Sequence, residues 1–171
     1  MIESLKYHIK VYWFSYLLSI ASIYLFFTRY DYSIFDFLDL LIHEPGHLIF
    51  SVFGEFMGFL GGTLSQILIP LIGSIFYVYW KKKIGAQLFL FWLGQNFLNI
   101  SVYVEDVPKM KLKLIGGIHD WNWILGKLGM IDFAKELSLV FIGLAFLSFC
   151  VMFFTPKFIV RNEEFIDLHI S

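Results

Sequence analysis

The sequence predicts an all-α membrane protein, a polytopic bundle of about four to five membrane segments with a His-Glu-x-x-His pattern on the second. Three observations carry this expectation. Hydrophobic residues make up 58% of the 171 residues and charged ones only 16%, more apolar side chain than a soluble domain of that length can hide. The apolar residues also gather into nearly uncharged runs of about the 20 residues that cross a bilayer. Finally, the few polar groups inside those runs are concentrated at helical spacing, as expected where polar groups face a protein interior rather than lipid.

The same composition narrows the function classes. A net charge of −1 and the absence of any basic tract leave no footprint for nucleic acid. The single cysteine, Cys150, lies in an apolar run, so there is neither a disulfide framework nor a cysteine zinc site. The first apolar run has no small-residue cleavage site and reads as a retained span. Residues 1–171 are expected to form one membrane domain.

In chain order, residues 11–27 form the first segment, with Tyr and Trp near its ends suited to the membrane interfaces. A polar turn holding Arg29 and Asp31 follows. Residues 33–54 form the second, with Ser33 as a candidate N-cap and Gly54 as a candidate stop. Residues 58–80 form the third. Its Gly61, Gly62, Thr63, Ser65 and Gln66 read as a polar, flexible opening, and Pro70 and Gly73 permit a bend. That stretch suits either a substrate-side edge or close helix packing through small residues. Lys81, Lys82 and Lys83 mark a cytoplasmic turn by the positive-inside rule. Residues 84–104 form the fourth segment, with Gln95, Asn96 and Asn99 on one face. Residues 105–135 are polar and carry Lys109, Lys111 and Lys113, then Gly116 and Gly117 ahead of a His119-Asp120 pair. Residues 137–154 form the last, and Pro156, Lys157 and Arg161 after it place that end in the cytoplasm. His8 and His169 fall near the ends of the chain, in solvent.

The chemistry centres on His43, Glu44 and His47. On a helix the two histidines lie one turn apart on one face, so both imidazoles can reach a single metal ion. Glu44 points about 100° round from His43 and about 60° from His47. Its carboxylate can therefore touch a water at the ion without ligating, as a general base does in a zinc hydrolase. Asp36, Asp39, His43 and His47 fall within about 80° of arc, one polar stripe on an apolar helix. Asp39, one turn before His43, is placed to accept its second ring N–H; alternatively Asp36 and Asp39 are a solvated helix start. Asn96 and Asn99 either hold a peptide backbone or a developing oxyanion, or join helices. Pro45 removes an N–H opposite the Leu41 carbonyl, and Gly46 would admit a second helix or a substrate backbone. Glu55 reads as a loop charge.

A catalytic zinc site needs a third protein ligand. The position that supplies it in the extended HExxHxxGxxH pattern is Phe53 here. The His119-Asp120 pair is the best remaining source, and both residue types ligate zinc, so the choice within the pair stays open. The bland alternative is a surface turn in which Asp120 caps a short helix starting near Trp121.

With His43, Glu44, Pro45, Gly46 and His47 inside a membrane segment, the chain resembles the site-2 protease group of intramembrane zinc metalloproteases. That resemblance implies zinc as cofactor, His43 and His47 as ligands, Glu44 as general base and Asp120 as the third ligand by residue type. It covers the motif helix firmly and the rest by layout. The Asn-Pro-Asp-Gly or Leu-Asp-Gly pattern that supplies the family's Asp is absent, and Pro45 is a departure.

The function expected from the sequence is a zinc-dependent membrane hydrolase, a peptidase acting on a membrane-associated protein or peptide in a bacterial-type cytoplasmic membrane. A zinc-dependent lipid amide or ester hydrolase is the second expectation. A scaffold or assembly subunit, its polar stripe serving helix pairing, is the third.

Overall fold

The computed structural model describes residues 2–112 and 119–170, with side chains over 6–112 and 119–159. Lys113, Gly116 and Gly117, and the side chains of Arg161 and His169, lie outside the described residues. The described elements are helical: α1 (Ile2–Phe27), α2 (Ile34–Phe50) with a 3-10 turn at Ser51–Phe53, α3 (Glu55–Tyr79), α4 (Lys83–Glu105), α5 (Asp120–Leu128), a second 3-10 turn at Ile131–Phe133, and α6 (Ala134–Ile170).

α4 is the axis of the bundle. It packs along α6 on one side and α3 on another, with α1 joining through α6 and α4. Leu90, Phe91, Leu93, Phe97, Leu98, Ile100 and Val104 of α4 are all buried in the core. A helix enclosed in this way can carry amides, because its neighbours rather than lipid answer them. Gln87 shows how: its Nε2 donates to Ser15 Oγ of α1 at 2.6 Å and to the Met152 carbonyl of α6 at 3.3 Å. The outside of the bundle is apolar, with Leu48, Val52, Phe53, Ile72 and Phe146 widely exposed. Continuous exposed apolar surface of this kind suits a lipid environment. Three helices among the described residues are long and apolar enough to cross a membrane: Lys6–Phe27, Glu55–Tyr79 and Ile131–Ile159.

α2 and α4, expected as crossings, fall short of that test for different reasons. α2 has 17 residues, about 25 Å at 1.5 Å per residue against a hydrocarbon core of about 30 Å, and carries three carboxylates. α4 is long enough at 23 residues, but its buried amides dilute its hydropathy.

The elements also run past the expected boundaries. α1 extends to Ile2 and α6 runs from Ala134 through Pro156 to Ile170. α3 is one unbroken helix through Gly61, Gly62, Thr63 and Pro70, so the expected flexible opening is regular helix. The reason is close packing. α2 lies chiefly on α3, and the two backbones meet at Gly46 and Gly61: a Cβ on Gly46 would collide with the Gly61 carbonyl and Ser65 Oγ, and one on Gly61 with the Gly46 carbonyl. Gly46 thus admits a helix, as small residues do at membrane helix crossings. Gly54 ends the α2 region at φ 106°, a conformation that favours glycine. Gly46→Val forces the crossing apart and is expected to cost at least the about 1–3 kcal/mol typical of overpacking. Thermal unfolding in detergent checks this; an unchanged midpoint contradicts the crossing.

Candidate metal centre

α2 turns its polar stripe inward. Asp39 and His43 are buried, at 1% and 8% exposure, and His47 is half-buried, while Leu48 on the opposite face is 76% exposed. The His43 and His47 rings meet edge to face with centroids 4.6 Å apart. Room for His43 comes from Gly62 of α3, where a Cβ would stand 2.5 Å from the ring's Cε1 and Nε2.

Each ring commits Nδ1 to an oxygen of α3. His43 Nδ1 lies 2.9 Å from Gln66 Oε1, and His47 Nδ1 lies 2.8 Å from the Gly58 carbonyl. Neither oxygen can donate, so Nδ1 carries the proton in both rings, and a neutral ring then keeps its lone pair on Nε2. Both Nε2 atoms face Asp120 Oδ2, at 3.1 Å from His43 and 3.4 Å from His47. Ligand atoms of His43, His47 and Asp120 all lie within 4.8 Å of one another.

Asp120 arrives from 77 residues away in sequence, and α5 is pinned to deliver it. Trp121 Nε1 donates to Thr63 Oγ1 of α3 at 3.1 Å. The Tyr103 hydroxyl of α4 accepts from the Asp120 N–H at 3.2 Å and stands 3.4 Å from Asp120 Oδ2. The helix cap is His119, whose Nδ1 accepts from the Asn122 N–H at 3.3 Å. Two ring nitrogens and a carboxylate oxygen converge on one point, an arrangement that positive charge between them, a proton or a metal ion, makes favourable.

The donor set fits a metal ion. A tetrahedral ion with bonds of about 2.0–2.2 Å to imidazole and carboxylate places neighbouring ligand atoms roughly 3.3–3.5 Å apart, against the 3.1 and 3.4 Å seen here. Imidazole and carboxylate are also ligands that zinc accepts. The three groups line a cavity of about 970 Å³. Glu44, exposed to solvent, lines the same cavity, as do Phe59 and Tyr103.

The remaining expected site residues divide. His119 stays apart from the cluster: its ring stacks on Tyr103 at 4.2 Å, and its Nε2 is 3.8 Å from the Asp106 carboxylate. Burial lowers its pKa, and its Nδ1 caps α5, the task that the alternative reading gave to Asp120. Asp39 does not hold His43: both ring nitrogens face other groups, Gln66 and Asp120, and Asp39 Oδ1 accepts from Trp92 Nε1 of α4 at 2.9 Å. Asn96 is fully buried and donates to the Trp92 carbonyl of its own helix at 2.9 Å, one turn back. Asp36 and Asn99 do line the cavity and bond to each other at 2.6 Å. Glu55, read as a loop charge, opens α3 and lines the cavity too.

Gly62, Thr63 and Gln66 belong to the stretch that suits either a substrate-side edge or close packing, with no separate role given to each; Tyr103 was not expected at the site. Gln66 had a signal: an amide in an apolar helix needs a partner. Tyr103 had none, since aromatic residues are frequent throughout the chain.

No family model matches the chain, and no curated protein or solved structure matches it. The likeness to site-2 proteases accordingly rests on the sequence alone.

Proposed function

We propose that this protein is a zinc-dependent hydrolase embedded in a membrane, cleaving peptide bonds of a membrane-associated protein. The observation that carries the reading is the convergence of His43 Nε2, His47 Nε2 and an Asp120 carboxylate oxygen in a cavity that Glu44 also lines. In this reading those three side chains, which line the cavity, would hold the ion. Zinc held there would supply Lewis acidity, polarising a carbonyl and lowering the pKa of a water. Glu44, on the lining of the same cavity, is the group that would hold the proton as general base and give it to the leaving amine.

α2 and α4 complete the membrane bundle in this proposal, α4 enclosed by α1, α3 and α6 and α2 laid on α3. The site lies in the part of the α3–α4 hairpin away from Lys81, Lys82 and Lys83: Gly58 to Gln66 are in the first half of α3, and Tyr103 is near the end of α4. Gln66 is about 16 Å along the helix from Glu55, deep enough to meet a substrate inside the bilayer. With the lysine turn facing the cytoplasm of a bacterial-type membrane, the cavity opens in the other half.

Metal analysis of the purified protein tests this first. One zinc per chain is expected, falling below a tenth in His43→Ala; a wild-type protein without stoichiometric metal would exclude the proposal and leave helix pairing as the use of the polar stripe.

A further inference from the structure

We infer that Asp36, Asn99 and Gln66 are positioning residues, a polarised chain of hydrogen bonds that fixes His43 with its proton on Nδ1 and its lone pair on Nε2. This deepens the metal-site reading and rests on it for its consequence in zinc affinity.

The chain begins at a carboxylate in the first turn of α2. Asp36 Oδ2 accepts from the N–H and the hydroxyl of Ser33, both at 2.6 Å, which locks the side chain at the helix start. Asp36 Oδ1 faces Asn99 of α4 at 2.6 Å. A carboxylate only accepts, so Asn99 has to present its NH2 there, and its Oδ1 is turned the other way. That oxygen receives Gln66 Nε2 of α3 at 3.1 Å. Gln66, having spent its NH2 on Asn99, has only its carbonyl oxygen left for His43 Nδ1, 2.9 Å away. One charge thus sets the direction of two amides and, through them, the tautomer of an imidazole.

The route crosses from α2 to α4 to α3 and back to α2. It is needed because the nearer carboxylate, Asp39, is bonded to Trp92. Hydrogen bonds in such a chain polarise one another. An acceptor on the far nitrogen of a ligand imidazole also raises the basicity of the ligating one.

His47 provides an internal control. Its Nδ1 is held by the Gly58 carbonyl at 2.8 Å, a backbone group that no side-chain substitution removes. Breaking the chain should therefore disturb His43 and spare His47.

The experiment uses the full-length protein, labelled with 15N-histidine, in detergent or nanodiscs. Nitrogen–proton correlation spectra report the tautomer of each ring, and competition with a chelator gives the zinc affinity. In the wild type both rings are expected to be protonated at Nδ1. Gln66→Leu removes the acceptor: His43 should leave that form, His47 should keep it, and zinc should bind roughly 10–100-fold more weakly. Gln66→Glu restores an acceptor and should recover most of the affinity. Asp36→Asn, distant from the core of the site, tests the direction of the chain, because an amide there can face Asn99 with either end; His43 should divide between two tautomers. Ser33→Ala removes one of the two bonds that lock Asp36 and leaves the Ser33 N–H and the Asp36–Asn99 bond in place, so His43 should stay as it is.

A single unchanged His43 tautomer in both Gln66→Leu and Asp36→Asn overturns the inference, as does a wild-type His43 protonated at Nε2. If Gln66→Leu does not fold, Asp36→Asn decides alone. A wild-type protein that binds no zinc removes the metal reading, and the ring spectra still decide the chain.

Discussion

Glu44→Gln is expected to retain a full complement of zinc and to lose turnover by about 10²–10⁴-fold, the usual worth of a general acid–base. The two halves follow from where the side chain stands. Glu44 is outside the ligand cluster, which consists of His43, His47 and Asp120, so replacing its carboxylate by an amide leaves the three ligand atoms in place. It lines the cavity beside them and is open to solvent, so the amide fills the same space and cannot take a proton. Membrane vesicles carrying the wild type or the variant are compared for peptides released from membrane proteins and, in parallel, for lipid amide and ester hydrolysis. Equal turnover in both would remove Glu44 from the mechanism. Activity in the wild type on lipid alone would keep the zinc site and exclude the peptidase.

What the sequence disclosed, and what it withheld, follows the range of the forces concerned. His43 and His47 were legible because their relation is local: four residues apart on a helix is one turn, whatever surrounds it. The membrane character was legible because it depends on composition. Asp120 was half legible. Its residue type and the need for a third ligand singled out His119-Asp120, but which of the two turns inward depends on how α5 is tied down, and that is decided by Trp121 bonding to Thr63 and by Tyr103 on α4. Helix caps favour residues that can accept from a backbone N–H, and here the His119 ring does so, which freed Asp120 for the centre.

Asp39 teaches the opposite lesson. Helical arithmetic put it next to His43 and was right about the face, yet a partner from α4, 53 residues on, took the carboxylate. Gln66 was read only as one member of a polar, flexible opening, because its neighbours are two glycines, a threonine and a serine. Packing against α2 at Gly46 makes the same residues a tight and regular crossing. Small residues in a membrane segment carry two meanings, flexibility and close approach, and only the partner helix chooses between them.

The pair that sequence left undivided should respond to mutation in opposite ways. Asp120→Ala is expected to lose its metal. Two imidazoles would remain, and the fall in zinc affinity should exceed the roughly 10–100-fold that loss of an outer hydrogen-bond partner costs, because a ligand itself is gone. The carboxylate also draws α5 toward α2 through both histidines, so His43 and His47 would be left facing each other with no anion between them, and zinc content should drop below a tenth of the wild type. His119→Ala should keep its zinc. Its ring stacks on Tyr103 and its Nδ1 caps α5, and removing a cap costs about 0.5–2 kcal/mol, which lowers the unfolding temperature and leaves the ligand atoms where they are. Metal content and thermal unfolding, measured on both variants, separate the roles. Zinc lost in His119→Ala and kept in Asp120→Ala would exchange the two residues and overturn the centre drawn here, since His119 Nε2 now faces Asp106 and not the two imidazoles.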